Sequence, residues 1–236
     1  MITAANSLFA VKKLVYDDKV ITMKELKDAL AADFEGEHAR IRKLAQDVPK
    51  YGNDIDEPDL FVNDHFRKIS DSVMTNKNPF AGPLYPGYLG ITAHYYHGIA
   101  CGATPDGRKA RTPFADGSFS TYPGTDKRGP TAVIKSATKT NLFPCTSNLF
   151  NLKFHPSALK DDDGIRKVWD LVKVYSRRGG YHIQFNVVDQ NVLLEARERP
   201  REHKDLLVRV AGFSAYFVDL APLMQDEIIA GTEHIL

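Results

Sequence analysis

The sequence predicts an α/β fold with parallel strands. Two features carry this expectation: strand-like apolar runs alternate with amphipathic helical stretches through the second half of the chain, and the joining segments are rich in turn residues. The composition is that of a globular protein, with 236 residues of which 43% are hydrophobic and 26% charged. That is enough chain to bury a real core as one large domain or two small ones. The net charge of +1 gives no general attraction to nucleic acid or to a membrane surface. No apolar run approaches the roughly 20 residues of a membrane helix. The start of the chain places charges too soon after a short apolar stretch for a good signal peptide. The 2 cysteines, Cys101 and Cys145, lie far apart and form no CxxC pair. This argues against a disulfide framework or a zinc cluster and fits a reducing cytoplasm.

The elements are predicted in order. Leu8, Val11, Leu14 and Val15 recur at helical spacing in SLFAVKKLVYDDK. In ITMKELKDALAADF, Thr22 and Glu25 form a capping-box pattern at the start of a second helix. Residues 37–48 continue helically, YGNDIDEPD breaks the pattern, and DLFVNDHFRKISDSVMTNK is a third amphipathic stretch. NPFAGPLYPGYLG is loop-rich, ITAHYYHG reads as a buried strand, and residues 101–130 are a long run of turn chemistry. Stretches of that length without regular structure are uncommon unless they are functional or packed into a site. TAVIKSATK reads as a helix and SNLFNLKFHPSAL as a strand. DDDGIRKVWDLVKVYSRRGG has acids at its start, arginines at its end and Gly179 as a stop, which makes it a helix. YHIQFNVVD is a strand alternating His182, Gln184 and Asn186 with Ile183, Phe185 and Val187. QNVLLEARERPREHKDL is helical, LVRVAGFSAYFVDL is extended, and APLMQDEIIAGTEHIL is helical. The leading helices have no strand before them, so the chain reads as part of a larger α/β body.

Gly212 interrupts the extended run near the C-terminus. A glycine there marks a bulge, a bend or a close approach of backbone. His94 and His97, three apart, are wrong for one face of a strand and have no acidic neighbour in sequence. His182, Gln184 and Asn186 form a face that is solvated, hydrogen-bonded or turned to a ligand. The acids at 161–163 read as a helix start rather than a metal site. Asp106 and Asp116 stand in Asp-Gly turns, with acid–base service as the sharper alternative. The chain has no phosphate-loop motif, no GxSxG and no nucleophile–base pair.

Read with its flanks, RVAGFSAYFVDL followed by QDEIIAGTEH resembles the glycyl-radical signature of the pyruvate formate-lyase family. NSLFAVKKLV, PKYGND, GATPDGRKARTPFADG, GPTAVIKSATK, FNLKFHPSALK and GGYHIQFNVV also look like that family, in its order. The resemblance spans essentially the whole chain and lies closer to the dehydratase, lyase and decarboxylase branch than to the acyltransferase. It implies that Gly212 stores an unpaired electron on Cα, installed by a radical S-adenosylmethionine activase. Arg209, Phe213, Ser214 and Ala215 match the surrounding motif and would contact the activase or shape the loop. No bound cofactor or metal is implied; the partners are the activase and a small-molecule substrate. The fold implied is part, the second half, of a ten-stranded α/β barrel, with leading helices and the C-terminal glycine-radical loop. Residues 1–110 would belong to the barrel and 111–236 to the glycine radical domain. The setting implied is an anaerobic cytoplasm and, for the intact enzyme, a homo-oligomer.

Two departures are mild: Phe213 replaces a frequent tyrosine, and Gly231 replaces a frequent arginine, at up to about 1 kcal/mol of helix propensity. A third is larger. The family passes its radical to a cysteine in a Gly-Cys-x-Glu type loop upstream, and neither IACGATPDGR nor LFPCTSN matches it. The expectation is therefore the radical-bearing portion of a lyase, with the cysteine loop in a missing upstream half. The alternatives are a formate C-acetyltransferase portion or a non-catalytic spare glycyl-radical partner.

Overall fold

A computed structural model describes residues 1–143, 145–210 and 212–230. The first lobe is helical. Helix α1 (Ile2–Val11) runs into a π-helical turn at Lys12–Asp17, and α2 (Met23–Ala31) follows. The capping box forms as expected: the Glu25 N–H donates to Thr22 Oγ1 at 3.1 Å, and the Thr22 N–H donates to the Glu25 carboxylate at 2.7 Å. Helices α3 (Ala39–Asp47) and α4 (Asp56–Met74) complete the lobe. Phe9, Leu14, Leu26, Phe34 and Ile41 close an apolar core between the first three helices.

Residues 93–100 are a helix, α5 (Ala93–Ala100), not the strand expected. Eight residues are too few for periodicity to separate a helix from a strand. Tertiary contacts decide it. At Gly98 a Cβ would stand 2.5 Å from the Thr112 carbonyl, so only glycine lets the following loop press this close.

The long loop is packed rather than loose. Buried Arg108 donates to the carbonyls of Gly98, Lys109 and Thr112 and stacks 4.6 Å over Phe114. One side chain thereby replaces the ladder that this backbone lacks.

Helix α6 (Gly129–Ala137), strand β1 (Asn151–Phe154), helix α7 (Asp162–Arg177) and strand β2 (Gln184–Val187) follow. Asp161 caps α7 by accepting the Gly164 N–H at 2.9 Å, so the aspartate run is the helix start expected. Strands β1 and β2 pair in parallel, Asn151 opposite Gln184 through Phe154 opposite Val187, with α7 as the crossover. The α/β class is thus realised. Phe66, Phe119, Ile134, Phe150, Phe154 and Tyr175 form the central core.

Helix α8 (Gln190–Glu198) stops earlier than the pattern suggested, because Pro200 disfavours helical backbone at Arg199. An antiparallel hairpin of β3 (Leu207–Val210) and β4 (Phe213–Tyr216) comes next, then α9 (Pro222–Ala230). Leu193, Ala196, Val208, Val210, Phe217 and Met224 hold this third lobe together. No helix among the described residues is long and apolar enough to cross a membrane.

Candidate functional site

The run around Gly212 is not one strand with a bulge. It is a hairpin whose two strands close at Val210 opposite Phe213, leaving a two-residue connection. Ala211 lies outside the described residues. Gly212 has φ +100°, a conformation that side-chain-bearing residues rarely adopt. Space is not the constraint. Among the described residues beyond its chain neighbours, the only atoms within 4 Å of a Cβ built there are the Leu149 methyls, at 3.8 Å. Gly212 is exposed, and the strand after it is exposed at Phe213, Ser214 and Tyr216.

The inner face of the hairpin is apolar: Val208 and Val210 pack with Leu193 and Ala196 of α8 and Met224 of α9. Its outer face is polar. Arg209 stands opposite Ser214 and donates from Nη1 to the Ser214 hydroxyl at 3.1 Å. Its Nη2 donates to Gln184 Oε1 at 3.0 Å. Asn186 accepts the Arg209 N–H at 2.7 Å and donates from Nδ2 to the Arg209 carbonyl at 2.6 Å. His182 completes the row; burial, and then the charge of Arg209, lower its pKa. The polar face of β2 therefore confronts Arg209, and of its two hydrogen-bonding side chains Gln184 is nearly inaccessible to solvent. Of the residues predicted at the site, Arg209, Ser214, Phe213 and Ala215 flank Gly212 in the hairpin.

A second cluster surrounds a small cavity of about 80 Å³ that Arg209 and Asn186 also line, with His94, Asp116, Asn151 and Glu227. His94 lacks an acidic neighbour in sequence but has one in space: its Nε2 lies 2.8 Å from the Glu227 carboxylate, tying α5 to α9. Burial works against protonating His94, but the Glu227 hydrogen bond and the charges of Glu227 and Asp116 outweigh it and raise its pKa. Burial also raises Glu227, with His94 opposing. Asp116 is more than a turn residue. It is raised by burial and accepts the Asn151 Nδ2 hydrogen at 2.6 Å. Asp106, by contrast, is the turn residue expected: it takes the Thr104 hydroxyl at 2.6 Å, with Gly107 at φ +96°. Sequence reasoning missed Glu227 altogether. Its only sequence signal was an acid amid the apolar residues of the last helix.

A larger cleft of about 690 Å³ is ringed by Arg42, Lys50, Arg108 and Lys127. Its cations are largely occupied by backbone. Lys50 donates to the carbonyls of Ala45 and Val48 at 2.6 and 2.7 Å, and burial brings its pKa down to about 8. Arg42 donates to the Gly107 carbonyl at 3.1 Å.

Cys101 and Cys145 are both free thiols. Burial pushes Cys145 up to about 11, so its thiol stays protonated near neutral pH. Neither cysteine is among the atoms close to Gly212. Gly231 lies outside the described residues. Among the described residues no group of three or more His, Cys, Asp or Glu is arranged to hold a metal ion.

An α/β body that presents a glycine at the tip of a clamped hairpin has known counterparts. Residues 1–98 match the family described as pyruvate formate lyase-like, and residues 115–218, with Gly212 among them, match the one described as glycine radical. The chain belongs to the glycyl radical enzyme family. It is 41% identical to trans-4-hydroxy-L-proline dehydratase of Clostridioides difficile, over 98% of this chain and 29% of that protein. It is 38% identical to the glycyl radical subunit of 4-hydroxyphenylacetate decarboxylase of the same species, over 99% of this chain and 28% of that protein. The structure of the B12-independent glycerol dehydratase of Clostridium butyricum, in its glycerol-bound form, superposes with a TM-score of 0.95 at 43% identity. That match covers 100% of this chain and 30% of the dehydratase. The chain thus spans under a third of the length of these relatives.

Proposed function

We propose that this chain is the glycyl-radical-bearing portion of an anaerobic lyase that acts on a small organic substrate, with Gly212 as the radical site. One observation carries the reading: whole-chain similarity to dehydratases and a decarboxylase, with Gly212 inside the matched glycine radical stretch. The local chemistry agrees. Loss of a hydrogen atom from Cα leaves a carbon that must flatten, and glycine has no Cβ to resist. The flanking N–H and C=O share the spin. At a hairpin tip, exposed and at φ +100°, the Cα is open to an activase that removes the hydrogen atom. Arg209, Phe213, Ser214 and Ala215 shape the loop that the activase meets. A radical S-adenosylmethionine enzyme would supply that step, in a cytoplasm kept free of oxygen. The boundary between the barrel portion and the radical portion is placed near residue 110.

This chain holds no cysteine in the family's loop context, so the thiyl step belongs to an upstream portion. The surface supports such a partner. Phe80 and Phe143 are each 93% exposed, and Tyr85, Leu89, Ile91 and Tyr96 are each more than half exposed. Gly87 bridges to Ser147, which brings two of these segments side by side. Exposed apolar residues on adjoining segments are what a protein–protein contact would cover.

The test is complementation. Trans-4-hydroxy-L-proline dehydratase is truncated before the matching region and mixed anaerobically with the activated chain. Recovered dehydration, lost with Gly212→Ala, is expected. A chain that takes up the radical yet never restores turnover would remove the lyase reading. Rescue confined to an enzyme cut only at its own glycine would instead identify a spare radical partner.

A further inference from the structure

Among the described residues, the hairpin and the parallel pair are neighbours that share no backbone ladder: β1 pairs with β2, and β3 with β4. What joins β2 to β3 is a side chain. The Asn186 amide can present an N–H donor and a C=O acceptor on one edge, as a residue of an extended strand does. It uses both on Arg209, taking the N–H at 2.7 Å and giving to the C=O at 2.6 Å. That is one rung of a sheet, supplied from a side chain. Gln184, two residues earlier on the same face, adds the Arg209 guanidinium at 3.0 Å and the Val210 carbonyl at 3.4 Å.

The apolar contacts cannot do the same job. Val208 and Val210 bury against α8 and α9, but apolar burial is non-directional. Sliding the hairpin by two residues would keep the same face inward. It would, however, take Arg209 away from Asn186. The rung sits three residues before Gly212, one pair back from where the hairpin closes at Val210 opposite Phe213.

We propose that Asn186, supported by Gln184, is the positioning residue of the glycine hairpin: it sets the register of β3 against β2 and thereby the place of the Gly212 Cα. The role rests on Gly212 being the radical site, as proposed above. Both Asn186 amide bonds of this rung go to the Arg209 backbone, so Asn186 acts through Arg209.

The test compares Asn186→Ala, Asn186→Asp and Val208→Ala in the whole chain. The first removes both bonds. The second keeps the acceptor for the Arg209 N–H and loses the donor. The third loosens the hairpin through its apolar face and leaves the rung intact. Amide hydrogen exchange across 207–216 is read first, with the amides of α3 as an internal reference. Loss of two hydrogen bonds should speed exchange at Arg209 by about 10- to 100-fold in Asn186→Ala, with Asn186→Asp between it and the wild type. The second readout is the electron spin resonance spectrum after anaerobic activation. Asn186→Ala should change the α-proton splitting or lower the radical yield, and Val208→Ala should keep the wild-type line shape.

Exchange at Arg209 within twofold of the wild type in Asn186→Ala would overturn the proposal. So would the same spectrum and yield in Asn186→Ala and Val208→Ala, which would leave Asn186 a merely stabilising residue. A wild-type chain that takes up no radical under an activase of proven competence would remove the functional reading. The exchange comparison would then still decide whether Asn186 fixes the hairpin.

Discussion

The helical lobe of α1 to α3 and the C-terminal lobe of β3, β4 and α9 are fastened by different balances of apolar packing and directional bonds. The first closes around an apolar core of Phe9, Leu26, Phe34 and Ile41, with caps and exposed pairs such as Lys24–Asp28 at its surface and a few polar links to the body, such as Arg42 on the Gly107 carbonyl and Asp33 on the Ala110 N–H. The second has apolar contacts on one side only. Its position is otherwise fixed by polar links to the body: Asn186 on Arg209, His94 on Glu227, Gln190 on the Ile229 carbonyl at 2.9 Å and Lys153 on the Ile228 carbonyl at 2.8 Å. Apolar packing makes a lobe stable, whereas directional bonds determine where it sits. A segment that must present one carbon atom at one place needs the second kind.

The largest effect should come from the first lobe. Phe34→Ala empties a fully packed site and should cost about 3–5 kcal/mol in denaturant unfolding, lowering the midpoint of the whole chain. Next, His94→Ala leaves Glu227 buried without its partner. The cost should be about 3 kcal/mol and fall on the C-terminal lobe, so exchange at 207–230 rises while α2 and α3 stay protected. Equal deprotection in both lobes would break the contrast. Gly212→Ala should cost about 1–2 kcal/mol, because alanine must adopt φ near +100°, and should abolish the radical. Thr22→Ala removes only a cap and should cost about 1 kcal/mol, in the first lobe alone.

Acidity offers a further contrast. The folded pKa of His94 is raised, so its contribution is present in full below the ordinary histidine value of about 6.5 and is lost as pH rises through the folded value. Glu227 and Asp116 are carboxyls that folding prefers protonated, so their ionisation also opposes folding as pH rises. Arg209 and Lys153 line the same cavity. The C-terminal lobe should therefore be better protected at about pH 6 than at about pH 8. Exchange rates corrected for intrinsic pH dependence, compared between the lobes, would measure this.

How much of this was legible in the sequence also divides by lobe. The first lobe was nearly all visible, since Leu14 and the Thr22–Glu25 box follow local rules of period and capping. The α7 start at Asp161 was visible for the same reason. In the elements that meet the C-terminal lobe, local rules misled. The 91–98 run reads as a strand, yet contacts from Pro113 and Glu227 make it a helix. The alternation of Gln184 and Asn186 fixed their common face but not what the face met, because Arg209 is 23 residues from Asn186 and invisible to any pattern. Glu227 is 133 residues from His94. Gly212 stood out only as a glycine in an apolar run; its chemical meaning came from resemblance, which the family match then supported.

The central claim is that Gly212 is the radical residue, and one measurement addresses it most directly. The chain is treated anaerobically with an activase, S-adenosylmethionine and reductant, exposed briefly to air, and its intact mass recorded. The account predicts backbone cleavage at Gly212 that releases the short C-terminal piece, and no cleavage in Gly212→Ala. An uncut chain, under an activase that cuts a full-length glycyl radical enzyme in parallel, would contradict it.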